Sequence, residues 1–130
     1  MDNPRVLPGA RVLIVDDEPD QVEMYQYALE EAGFRVLAAF TGESGVARAR
    51  EAKPDLIVLD LRLPDTTGWD VCRTLKSDPG TQRIPIVILT AAASPTLGQQ
   101  AAAAGCAAHL LKPCYPEELT QTIRSILAAT

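Results

Sequence analysis

The chain has 130 residues, 47 % hydrophobic and 22 % charged, which suits one ordinary packed domain and no more. Its formal charge of −5 opposes direct binding to nucleic-acid phosphate or to an anionic membrane surface. No apolar run approaches the ~20 residues of a membrane-spanning helix, and the first residues carry no signal-like stretch, so a soluble, cytoplasmic domain is expected.

Residues 1–10, with Pro4, Pro8 and Gly9, are expected to be a flexible lead-in, and residues 11–130 the folded domain. The apolar run Val12-Leu13-Ile14-Val15 is a first strand ending in Asp16-Asp17. Glu18-Pro19-Asp20 supplies a turn, an early proline and first-turn acids for a helix that stops at Gly33. Residues 34–40 read as a second strand. Thr41 and Ser44 are caps for a second helix to about Glu51. Leu56-Ile57-Val58-Leu59, four aliphatic residues between turn signals, read as a central buried strand, and Asp60 closes it. A third helix over 69–76 is broken by Ser77-Asp78-Pro79-Gly80. A fourth strand covers 84–89 and ends before Thr90. Ser94-Pro95 match the N-cap and first position of a fourth helix, and 109–111 form a fifth strand ending in Lys112. The last helix opens at Pro116-Glu117-Glu118 and carries Leu119, Ile123, Ile126 and Leu127 as an apolar stripe.

Five strands alternating with five helices predict a parallel sheet covered on both faces, a three-layer α/β sandwich with right-handed crossovers. In such a sheet the ligand crevice lies beyond the carboxyl ends of the strands. Asp16, Asp17, Asp60, Thr90 and Lys112 all end strands, so they are expected to converge there. Close carboxylates need a cation to stay ionised together, and an all-oxygen donor set suits a hard divalent ion such as Mg²⁺. That cation and Lys112 on the far side fit an incoming phosphoryl group, with Asp60 as nucleophile.

The set Asp16-Asp17, Asp60 followed by Pro64 and Gly68, Thr90-Ala91, and Lys112-Pro113 resembles the receiver domain of two-component response regulators over about residues 11–128. The resemblance implies a flavodoxin-like strand order 2-1-3-4-5 and a phosphorylation-dependent signalling switch. It implies that Asp60 accepts the phosphoryl group from a histidine kinase or a histidine phosphotransfer protein, and that the domain catalyses only its own modification. It further implies Asp17 as direct Mg²⁺ ligand, Asp16 acting through water, the Arg62 carbonyl as another ligand, and Thr90 and Lys112 contacting the phosphoryl group. Small Ala91 would leave that group room. A cis Lys112-Pro113 bond is implied as well.

His109 stands where the family usually carries Tyr or Phe. Two readings stay open, a planar stand-in for the switch aromatic that follows Thr90 and a titrating gate. Along the first helix, Tyr25, Leu29 and Ala32 fall at core spacing, while Asp20, Met24, Tyr27 and Glu31 form a second stripe. By resemblance that flank docks the phosphohistidine partner; ordinary edge packing is the other reading. A homodimer through the face of the fourth helix, fifth strand and fifth helix is also left open.

Two rivals belong to other classes. A Mg²⁺-dependent phosphatase with an aspartate nucleophile is disfavoured because Asp60-Leu61-Arg62 lacks a second Asp two residues on, and a flavin carrier because no Ser/Thr/Gly-rich phosphate loop follows the first strand. Cys72, Cys106 and Cys114 show no C-x-x-C and no disulfide framework, so they are expected to be reduced thiols. Cys114, near the crevice, reads as a small filler rather than a tuned thiol.

Overall fold

The computed structural model describes residues 9–129. The elements alternate throughout: β1 (Arg11–Val15), α1 (Pro19–Glu31), β2 (Arg35–Ala39), α2 (Gly42–Ala52), β3 (Leu56–Leu59), α3 (Gly68–Ser77), β4 (Ile86–Thr90), α4 (Leu97–Ala103), β5 (Ala108–Leu111) and α5 (Pro116–Ala128). All strand pairs are parallel and the order is β2-β1-β3-β4-β5, the flavodoxin-like arrangement expected. Of the expected lead-in, residues 1–8 lie outside the described range. Gly9 and Ala10 already pair with the entry to β2, through Gly9 N–H to the Gly33 carbonyl and Arg35 N–H to the Ala10 carbonyl.

Alternation along each buried strand sorts the core into two halves. Val12, Ile14, Val58, Val87 and Leu89 face α1 and α5, where they meet Val22, Leu29, Leu119 and Ile123. Leu13, Val15, Ile57, Leu59, Ile86 and Ile88 face the other way onto Val71, Leu75 and Leu97 of α3 and α4. Each fully buried aliphatic side chain contributes roughly 1.5–3 kcal/mol by leaving water, and every position of β3, of β1 after Arg11 and of β4 before Thr90 is filled this way. That is why they can carry polar groups only at their ends.

Local chemistry sets the boundaries. α1 closes with a left-handed Gly33 (φ +100°), whose N–H binds the Glu30 carbonyl while Phe34 N–H reaches the Leu29 carbonyl. Phe34 thus belongs to the cap, and β2 starts one residue later than its apolar run suggests. Thr41 and Ser44 form a reciprocal capping box on α2. Thr67 caps α3 through Asp70 N–H, so the helix begins at Gly68 instead of Trp69. β4 begins only at Ile86, because Pro85 has no N–H to donate and Ile84 N–H is held in a turn by the Thr81 carbonyl.

The fourth helix departs most. Ser94-Pro95 do not open it: the Ser94 hydroxyl accepts Thr96 N–H and its carbonyl accepts Leu97 N–H, closing a turn. The first helical bond runs from Gln100 N–H to the Thr96 carbonyl, and α4 starts at Leu97. A serine that hydrogen-bonds its own neighbouring backbone competes with helix, and here it wins. Lys112-Pro113 is a cis peptide bond, as the resemblance implied.

Candidate functional site

Sheet register brings the polar strand ends together. Val15 lies beside Leu59 and Leu59 beside Ile88, so Asp16 and Asp60, each the next residue, leave adjacent strands side by side. Thr90 pairs with Leu111, and Lys112 N–H binds the Thr90 carbonyl at 2.9 Å. The backbone of Asp60 is itself anchored to β1 through its N–H and the Val15 carbonyl.

Lys112 Nζ spans the two buried acids, 2.7 Å from Asp16 Oδ2 and 3.0 Å from Asp60 Oδ2, with all three side chains no more than 8 % exposed. Burial alone works against the ammonium charge, but the hydrogen bonds to Asp16 and Asp60 outweigh it and hold the Lys112 pKa above its ordinary value. The remaining carboxylate oxygens are oriented by backbone: Asp16 Oδ1 accepts Glu18 N–H at 3.0 Å and Asp60 Oδ1 accepts Arg62 N–H at 3.2 Å. Thr90, fully buried, accepts Ala92 N–H at 3.1 Å through its hydroxyl oxygen, which leaves the hydroxyl proton for another acceptor.

These groups border an open cleft of about 300 Å³ lined by Asp17, Glu18, Asp60, Arg62, Thr90 and Lys112, with Ala91 also at its wall. Asp17 is exposed at the cleft, and carboxylate oxygens of Asp16, Asp17 and Glu18 lie within 4.8 Å of one another. Lys112 offsets only one of the charges on Asp16, Asp17 and Asp60. The donor set is all oxygen and still carries excess negative charge, so it fits a hard divalent cation. Glu18 is an addition: its place beside Asp17 was visible in the sequence, but there it reads as part of the helix turn. Asp60 stands outside that close acid group and joins it through Lys112.

Gly68 also belongs to the site's construction. A Cβ there would lie 2.4 Å from the Asp60 carbonyl oxygen and 2.8 Å from Leu61 Cα, and Gly68 N–H binds the Leu61 carbonyl. Only a residue without a side chain lets α3 begin this close to the Asp60 backbone.

The profile of the response regulator receiver domain matches residues 12–124. The chain belongs to this family. Among its relatives, protein PilH of Pseudomonas aeruginosa is 38 % identical over 119 residues, which cover 92 % of this chain and 98 % of PilH. The DNA-binding response regulator MtrA of Mycolicibacterium smegmatis is 38 % identical over 90 % of this chain, which spans only about half (50 %) of MtrA. The crystallised chemotaxis protein CheY4 of Vibrio cholerae superposes with a TM-score of 0.85 at 32 % identity, covering 91 % of this chain and 98 % of that one.

On this receiver domain the second stripe of α1 is solvent-facing: Asp20, Met24, Tyr27 and Glu31 are exposed, Tyr27 by 68 %. Met24 edges a hollow of about 460 Å³ between α1 and the loop from β5 to α5, shared with Gln21, Pro113 and Tyr115. The Tyr25 hydroxyl donates to the Cys114 carbonyl at 2.9 Å and ties that loop to α1; burial, foremost, pushes the phenol pKa up. Sequence reasoning placed Tyr25 in the core but missed this bond and the part Gln21 and Tyr115 play in the hollow. His109 is exposed on β5, away from the cleft lining, with its ring against Gly98: a Cβ there would be 3.3 Å from His109 Cε1.

The cysteines divide. Cys114 is buried and its thiol is pushed up to about 11, chiefly by burial, consistent with a filler. Cys72 and Cys106, unrelated by spacing, meet with their sulfurs 3.7 Å apart.

Proposed function

We propose that residues 11–130 act as a phosphorylation-dependent switch, Asp60 accepting a phosphoryl group from a histidine kinase or histidine phosphotransfer protein in a Mg²⁺-dependent reaction. The observation that carries this reading is Lys112 spanning Asp16 and Asp60 at the end of the central strand, beside a buried threonine hydroxyl. The Asp60 carboxylate attacks phosphorus in line with the leaving nitrogen. Lys112 transfers one of its hydrogen bonds to a phosphoryl oxygen, and Thr90 donates its hydroxyl to another. Asp16, Asp17 and Asp60, with the Arg62 carbonyl, are the residues to hold Mg²⁺, which when bound neutralises charge on the phosphoryl oxygens. Hydrolysis of the aspartyl phosphate returns the switch, so the domain acts on itself and turns over no outside substrate.

The donor docks on the exposed flank of α1, at Asp20, Met24 and Tyr27, beside the hollow lined by Gln21 and Tyr115. That flank adjoins the cleft through Lys112, which lines both. Thr90 and His109 form the switch proper, and the reaction takes place in the cytoplasm. Incubation with acetyl phosphate and Mg²⁺ should add one phosphoryl group by intact-protein mass spectrometry, and Asp60→Asn should abolish it. Continued labelling of that variant would overturn the assignment.

A further inference from the structure

Cys72 and Cys106 form the one close thiol pair among the described residues, and the proposed phosphoryl chemistry uses neither. Cys72 points from α3 into the core and is fully buried; Cys106 lies in the turn between α4 and β5 and is half-buried. Their sulfurs touch at 3.7 Å, and the Cys72 thiol also reaches the Ala104 carbonyl at 3.5 Å. A disulfide needs ~2.05 Å between sulfurs, so a shift of roughly 1.7 Å separates contact from bond. Rotation of the less confined Cys106 is the smaller rearrangement. We infer that Cys72 and Cys106 are a redox site, which a hydroperoxide converts to an intrachain disulfide fastening α3 to the turn before β5.

The surroundings favour the chemistry. A thiolate is the attacking species, and the Cys72 pKa is lowered to about 7, first by the hydrogen bond from Cys106 and further by the charges of Lys76 and Arg73 against the cost of burial. The same shared bond holds the proton on Cys106. Proton exchange across the S–H···S contact lets the one negative charge reach Cys106, the less buried residue of the pair. That sulfur attacks the distal peroxide oxygen; the O–O bond breaks, giving a sulfenic acid and releasing the other oxygen as water or alcohol. Cys72 then attacks the sulfenic sulfur, the S–S bond forms, and the S–O bond breaks to release water. The two thiols lose two electrons and two protons, and the peroxide takes them up. In a reducing compartment such a bond is transient, as expected for a sensor rather than a structural staple.

Its position gives it a target. Cys106 precedes β5, where Ala107 N–H binds the Ile86 carbonyl at the amino end of β4, so the pair sits at the end of the sheet opposite Asp60 and Lys112. A bond there restrains the base of α4 and leaves the cleft chemistry alone. The test is titration of the native protein with hydrogen peroxide, followed by alkylation and a non-reducing peptide map. The expected product is a Cys72–Cys106 cross-linked peptide within monomeric protein, Cys114 alkylated as a free thiol, and full reversal by dithiothreitol. Amide hydrogen exchange over 97–104 should slow in the oxidised form, while acetyl phosphate labelling proceeds at the reduced protein's rate. Cys106→Ser should lose both the cross-link and the exchange effect; the wild-type map stands without that variant. Free Cys72 and Cys106 at peroxide levels that oxidise N-acetylcysteine, separate over-oxidation of each, or bridges only to Cys114 or between molecules would overturn the inference. Failure of Asp60 labelling would instead strike the phosphoryl-switch reading and leave this result intact.

Discussion

At the scale of single residues, the site is governed by how buried charge is compensated. An ammonium between two carboxylates in a nearly dry setting persists because each remaining oxygen is also bound, Asp16 by Glu18 N–H and Asp60 by Arg62 N–H. Among the described residues no cation pairs with Asp17 or Glu18, and their carboxylate oxygens lie within 4.8 Å of one another and of Asp16, a spacing that a divalent ion fits. Mg²⁺ should therefore stabilise the fold by mass action, by about 2.7 kcal/mol at a hundredfold excess over Kd. Thermal melts with and without Mg²⁺ measure it, and Asp17→Ala should remove most of the shift. An equal shift in that variant would refute the ligand role. The residue types of this site were legible because each follows directly on an aliphatic strand. Glu18 was not, since an acid at a helix start has an ordinary reading as a partner of the helix dipole.

At the scale of elements, two segments around the cleft differ in how firmly they are held. The loop after β3 is pinned to α2: Asp65 accepts Gly42 N–H at 2.8 Å and Glu43 N–H at 2.9 Å, and the Glu43 and then the Gly42 bond lower its pKa. A carboxylate depressed in the folded state stabilises the fold above its unfolded value near 3.8, and the effect fades as pH falls through the lower folded value. Asp65→Asn should thus be less stable than wild type at pH 7, with the gap narrowing below about pH 4. Urea midpoints across that range measure it; a gap constant with pH would mean the two amide bonds contribute nothing through the charge.

α4 is the loose counterpart. It has seven residues, no side-chain cap bond, only Leu97 and Ala101 buried, and a Gly98 that costs about 1 kcal/mol relative to Ala in a helix. Beryllofluoride with Mg²⁺, standing in for the phosphoryl group, should shift amide resonances through 94–111 as Thr90 is drawn to it, because Thr90 lies at the start of the segment leading to α4 and is paired with Leu111. Shifts confined to the cleft residues would defeat the switch. The late start of α4 escaped sequence reasoning for a local reason, the Ser94 turn, that a cap-plus-proline pattern does not distinguish from a helix start.

At the scale of the whole molecule, β5 is an edge strand with Leu111 47 % exposed and His109 exposed beside it. An exposed edge flanked by a labile helix is a surface two copies can share. If α4, β5 and α5 form a phosphorylation-dependent dimer face, sedimentation should move from monomer towards dimer on adding beryllofluoride, and Leu111→Lys should block the change. A mass that stays monomeric would assign the face to another partner or to none.

The amino-acid sequence by itself determined the layer architecture, the parallel sheet and the identity of the strand-end residues. Aliphatic runs of strand length are stable only when buried on both faces, and polar groups are then tolerated only where the strands stop. It also contained, in the order Asp16-Asp17, Asp60, Thr90, Lys112-Pro113, the pattern that marks the receiver family. Tertiary structure alone decided the quantities that depend on groups far apart in the chain: Lys112 reaching both Asp16 and Asp60, Tyr25 fastening the Cys114 loop, His109 lying outward against Gly98, and Cys72 meeting Cys106. Periodicity reports which face of an element is buried, but strand register and helix packing set which distant side chains come within a bond's length, and that information is not local.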